Sequence, residues 1–236
     1  MKNCIIASTS TLHSQSYLEY IIPTLKIHFK NVKSIIFIPF ARPGGISHDE
    51  YTAIAAKVFK TINIEVKGLH TFENKTEALQ NAKGIFTGGG NTFVLVNELH
   101  RNKLFPVLKE VLESGTPYLG TSAGSNICGL NMKTTNDMPI VYPPSFETIG
   151  VVPFNINPHY LDPIEGNKHM GETRETRINE FHSQNNIPVI GLREGSWLHV
   201  NNNQCILEGA LSARVFTPNK QPFEIQPKSD VFEVLK

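Results

Sequence analysis

A parallel, doubly wound α/β fold is the class this sequence predicts, and three observations lead to it. Short apolar runs rich in Ile, Val and Phe recur through the first half of the 236-residue chain, stretches of helical period separate them, and Gly or Pro marks many junctions. The runs Cys4–Ala7, Ser34–Pro39, Glu65–Leu69, Gly84–Thr87 and Pro117–Gly120 read as strands. Several are nearly continuous in apolar residues, as strands covered on both faces are. Between them, Ser14–Phe29, Asp49–Ile62, Thr76–Ala82, Thr92–Asn102 and Phe105–Ser114 have the spacing of amphipathic helices. Such alternation gives a mainly parallel sheet with right-handed crossovers.

Beyond residue 130 the pattern changes. Met132–Pro144 and Asn155–Lys168 are rich in polar and turn-forming residues and read as loops, and one helix is expected over Glu172–Phe181. The short runs Val189–Leu192, Trp197–Val200, Cys205–Leu207 and Arg214–Thr217 are spaced like an antiparallel meander, a C-terminal extension of the parallel sheet. From Pro218 the chain is polar and loosely patterned. With no repeat or low-complexity linker, residues 1–236 are expected to form a single domain.

Lys plus Arg total 22 and Asp plus Glu total 21, a formal charge of +1, so neither nucleic acid nor an anionic membrane is expected as a partner. Cys4, Cys128 and Cys205 are odd in number and lack CxxC or zinc spacing, which fits a reducing compartment. The apolar run at the N-terminus is too short for a signal peptide, and no stretch approaches the roughly 20 apolar residues that span a bilayer. A cytoplasmic protein is expected. Oligomeric state is left open, with a monomer as the default.

The chemistry concentrates at Gly120-Thr121-Ser122-Ala123-Gly124, a G-x-S-x-G motif at the end of a strand with small residues where a helix would start. Flanking glycines let the backbone turn sharply and expose the serine hydroxyl beside a helix N-terminus. A serine becomes a nucleophile only when a base takes its proton. His13, His28, His70, His100 and His182 sit on helices or element ends, whereas His159 follows Asn157-Pro158 in a polar loop that can reach the C-terminal edge of the sheet. Gly88-Gly89-Gly90-Asn91-Thr92 follows another strand. Its Gly90 amide and that of Ala123 are candidate oxyanion donors, with a phosphate cradle as the competing reading.

The chain resembles the S51 serine peptidases, the peptidase E family of α-aspartyl dipeptidases, whose fold is similar to that of class I glutamine amidotransferases. The matching segments are Phe37–Ala41, Gly88–Phe93, Gly120–Asn126, Thr134–Ile140, Asn155–His159, Gly171–Glu175 and Gly191–Trp197. The resemblance implies a small peptide substrate, an N-terminal aspartate on it, and no metal or organic cofactor. It puts the nucleophile at Ser122 and the histidine at His159. Thr121 stands where some relatives carry an aromatic residue, which bears on the pocket wall. An esterase, a cyanophycinase-like peptidase or a non-catalytic binder of this fold are the alternatives.

A carboxylate must fix the tautomer of such a histidine. Asp137 ranks first, Glu194 second and Asp162, three residues after His159, third. Arg174 and Arg177 share a helical face without an obvious local partner, which suggests an anionic ligand. Arg174, inside a matching segment, is the candidate for the substrate carboxylate, with Arg177 next.

Overall fold

The computed structural model describes residues 1–163 and 171–236. The chain opens with β1 (Asn3–Ala7), then α1 (Ile22–His28), β2 (Ser34–Ile38), α2 (His48–Lys60), β3 (Glu65–Gly68) and α3 (Lys75–Gln80). There follow β4 (Ile85–Thr87), α4 (Thr92–Arg101), α5 (Phe105–Glu113), β5 (Tyr118–Thr121) and the short α6 (Ala123–Asn126). The C-terminal part contains β6 (Asn155–Pro158), α7 (Arg174–His182), β7 (Val189–Leu192), β8 (Ser196–Asn201), β9 (Gln204–Gly209), β10 (Ala213–Phe216), β11 (Phe223–Ile225) and α8 (Val231–Val234).

The main sheet has the order β3-β2-β4-β5-β1-β8-β9, parallel from β3 through β1 and closed by the antiparallel β8–β9 hairpin. Alternate residues of one strand enter different cores. Ile6 packs with Leu95, Leu99 and Leu108 on one face, and Ile5 packs with Leu25, Phe37 and Phe59 on the other. This two-sided burial is why the N-terminal strands read as unbroken apolar runs.

Three expectations need correction. The helix expected over Ser14–Phe29 begins only at Ile22, because Ser14 and Leu18 have φ of 63° and 58° and Pro23 fits only a first helical turn. The four C-terminal runs do not form one meander. A second sheet of order β11-β10-β7-β6 takes β7 and β10, while β8 and β9 join the main sheet beside β1. Part of the expected Asn155–Lys168 loop is β6, parallel to β7, and residues 164–168 of it lie outside the described residues. The loosely patterned end holds β11 and α8, the latter capped by the Asp230 side chain.

Candidate active site

The β5–α6 junction makes the turn expected of it. Ser122 sits at φ 55°, ψ −111°, outside the ordinary regions for a residue with a side chain. The turn closes because Gly124 passes directly under β4: a Cβ there would lie 2.2 Å from the Thr87 carbonyl oxygen. On the opposite wall the glycine turn after β4 meets the serine. A Cβ on Gly89 would lie 2.9 Å from Ser122 Cβ and 3.5 Å from its Oγ. Gly90, at φ 145°, presses on Ala41, and among the described residues neither its amide nor that of Ala123 has an acceptor.

His159 is the first residue past β6 and also has positive φ, 53°. Its Nε2 lies 2.8 Å from Ser122 Oγ. Its Nδ1 lies 2.6 Å from Glu194 Oε1. The three side chains form one hydrogen-bonded run, with the histidine and glutamate partly exposed. Asp137, ranked first by sequence, does not touch the ring. Its Oδ2 accepts from the Thr92 amide (2.7 Å), Thr92 Oγ1 (2.6 Å) and Thr135 Oγ1 (3.1 Å) at the start of α4. A carboxylate is favoured there by the unpaired amides and dipole of the helix N-terminus. Asp162 pairs with Arg193 instead of His159.

The run opens on a cavity of about 240 Å³ whose lining includes Ser122, His159, Thr135, Asp137 and Arg174. Arg174 opens α7 behind the Thr173 cap and pairs with no carboxylate among the described residues. Burial, then the neighbouring Arg177 charge, holds its guanidinium below its usual pKa, with Asp137 pulling the other way. Arg177 is different: it faces Glu172 at 3.6 Å and does not line the cavity. Thr121 is fully buried and does not line the cavity either, so it is no pocket wall. Of the other histidines, His28, His100 and His182 bind backbone carbonyls and His70 pairs with Asp49.

Sequence reasoning missed the bracing around His159. Ser8, the first residue past β1, accepts from the His159 amide at 2.9 Å and donates to the Leu192 carbonyl at 2.7 Å. Asn136 donates to the Pro158 carbonyl, and Asn157 donates to Asn136 and to the Thr134 carbonyl. The signal for Ser8 was its position, a small polar residue at the C-terminal edge of a parallel strand, where sites gather in such folds.

Residues 4–208 match the model of "Peptidase family S51". The chain belongs to that family. It is a peptidase. A Drosophila melanogaster protein named "Probable alpha-aspartyl dipeptidase" is 44% identical over 238 residues, covering 100% of this chain and 98% of its own. A Streptomyces coelicolor protein named "Peptidase E" is 43% identical over 99% of this chain and 95% of its own. The crystal structure of a peptidase from an acI-B1 Actinobacterium superposes with a TM-score of 0.74 at 15% identity, covering 98% of this chain and 96% of that one. The fold is thus the class I glutamine amidotransferase-like one, a mainly parallel doubly wound sheet. No helix among the described residues is long and apolar enough to cross a membrane.

Proposed function

We propose that this peptidase is a cytoplasmic dipeptidase that hydrolyses Asp-X through Ser122, His159 and Glu194. The observation that carries the reading is the continuous Ser122–His159–Glu194 hydrogen-bonded run opening onto a cavity that holds both Arg174 and Asp137. An N-terminal aspartyl residue carries an ammonium and a carboxylate. Arg174 takes the side-chain carboxylate through its planar fork. Asp137 faces the ammonium with Oδ1, which receives no hydrogen bond among the described residues.

His159 Nε2 removes the Ser122 proton as Oγ attacks the scissile carbonyl, and Nδ1–H to Glu194 keeps the ring in the tautomer that can accept it. Gly90 and Ala123 amides receive the oxyanion. As the C–N bond breaks, the imidazolium returns its proton to the leaving amine. Water, activated by the same histidine, then releases aspartate from the acyl-enzyme. Protein groups suffice for each step. The three cysteines are free and buried, which supports a reducing compartment.

The test is a substrate panel of Asp-Leu, Asn-Leu and a simple aryl ester, with Ser122→Ala as the blank. Wild type is expected to favour Asp-Leu and Ser122→Ala to lose turnover while staying folded. Arg174→Met should lower kcat/KM for Asp-Leu about 10- to 150-fold, the worth of a charge-assisted hydrogen bond, and for Asn-Leu far less. Equal losses on both dipeptides would remove Arg174 from the specificity pocket, and preference for the ester would replace the dipeptidase reading with an esterase.

A further inference from the structure

The paired ends of β6 and β7 stop at Pro158 opposite Leu192. His159 and Glu194 lie just beyond, where the Tyr160 amide to the Leu192 carbonyl (3.1 Å) is the last backbone tie between the two strands. Yet they meet at 2.6 Å. The residue next to Glu194 explains how. All five N–H donors of Arg193 are engaged, a full complement for a guanidinium. Nε and Nη2 grip Asp162 at 2.8 and 2.7 Å, on the chain leaving His159. Nη1 and Nη2 grip Glu224 in β11 at 2.8 and 2.9 Å, and Nη1 also reaches the Ser212 carbonyl at 2.8 Å. Ser212 Oγ in turn donates to Glu224 at 2.7 Å.

An exposed single ion pair would contribute little. This arrangement differs, because the Arg193 side chain is only 15% exposed and forms two bidentate forks, which fix orientation as well as distance. Arg193 and two further groups hold the Glu224 carboxyl down at about 2 against its burial, Arg193 first and Ser212 and Arg214 with it. Glu224 also takes a bond from Arg214, which pairs with Glu175 of α7. The exits of both strands are therefore clamped to one frame, and three of its members, Ser212, Arg214 and Glu224, lie beyond residue 208, where the family match ends.

We propose that Arg193 is a positioning residue that sets the spacing of His159 and Glu194, and that Ser212 and Glu224 make the C-terminal hairpin part of the hydrolytic apparatus. The inference rests on the proposed Ser122–His159–Glu194 triad. Arg193→Met, Arg193→Lys and Glu224→Gln would be assayed on Asp-Leu and with a serine-directed fluorophosphonate. A proton NMR spectrum would follow the downfield His159 Nδ1–H signal. Arg193→Met is expected to lower kcat about 10- to 100-fold with KM nearly unchanged, since displacements near 1 Å cost on that order. The phosphonate labelling rate should fall in parallel, and the Nδ1–H signal should shift or broaden. Glu224→Gln should do the same to a smaller degree, and Arg193→Lys should not restore the wild-type rate, because an ammonium cannot form two planar forks. Wild-type kcat and an unmoved signal in folded Arg193→Met, or a loss confined to KM, would overturn the proposal. If Arg193→Met does not fold, Glu224→Gln is judged by the same criteria. Failure of the triad itself would look different: Ser122→Ala would still turn over substrate and take the label, whatever the Arg193 variants do.

Discussion

Ser122 leaves the main sheet through a turn written in five consecutive residues, whereas His159 and Glu194 leave the second sheet from positions 35 residues apart that only tertiary pairing brings together. In the first region the geometry is local. Gly124 lets the elbow pass under β4, and the helix after it holds Ser122 at positive φ. In the second region a crossover through α7 makes β6 and β7 parallel neighbours, and side-chain clamps align the residues just past their ends. Local geometry tolerates substitutions elsewhere in the chain. Geometry assembled from distant strands depends on each polar group that ties them.

The largest expected effect tests which acid belongs to the second region. Glu194→Gln should lower kcat about 10⁴-fold, because an amide can hold the imidazole in the wrong tautomer. Asp137→Asn should act mainly on KM, since that carboxylate caps α4 and faces the cavity without reaching His159. Steady-state kinetics on Asp-Leu separate the two. A greater kcat loss in Asp137→Asn, with both variants folded, would return Asp137 to the place that the sequence ranking gave it.

Much of the first region was legible in the sequence and less of the second, for a physical reason. β1, β2, β4 and β5 are covered on both faces, so their apolar runs stand out, and the G-x-S-x-G turn needs small residues at fixed offsets. β6 is Asn-Ile-Asn-Pro, with Asn155 exchanging hydrogen bonds with Asn131 and Asn157 bracing the Thr134–Asn136 loop, so it carries no strand-like pattern. Nothing local says that β7 pairs with β10 across an intervening hairpin. That Glu194 rather than Asp137 meets His159 was hidden for the same cause. Asp137 and Glu194 both stand in loops of the right composition, and the choice between them is made by the β6–β7 register and by the amides of α4.

A smaller effect is expected where the two regions touch. Ser8 belongs to the end of β1 yet holds the His159 amide and the Leu192 carbonyl. Ser8→Ala leaves the partly buried His159 amide without a partner, at a cost of about 1–3 kcal/mol, while the Leu192 carbonyl keeps its bond from the Tyr160 amide. Thermal unfolding should report that loss, and kcat on Asp-Leu should fall about 10-fold as the imidazole loses its register, within the range that small misplacements produce. A drop in stability with kcat unchanged would make Ser8 a structural tie alone and leave His159 positioned by the second sheet.

The smallest effect lies wholly in the first region and should leave the chemistry at neutral pH untouched. His28 of α1 sits between Phe29 and His199, with Nε2 3.1 Å from the Tyr118 carbonyl of β5, the strand that leads to Ser122. Burial first, and the adjacent His199 second, lower its pKa from 6.5 to about 4. The folded chain therefore resists a proton that the unfolded chain accepts. Stability is full above pH 6.5 and declines as pH falls from there towards 4, because the unfolded state binds more protons in that window. His199 is shifted in the same direction by its own burial and adds to the decline. His28→Gln keeps a donor for the Tyr118 carbonyl and removes the titration. Its melting temperature should fall less between pH 7 and pH 4.5 than that of wild type, with kcat at pH 7 the same. Parallel curves for the two proteins would mean that acid acts on the fold through groups other than His28.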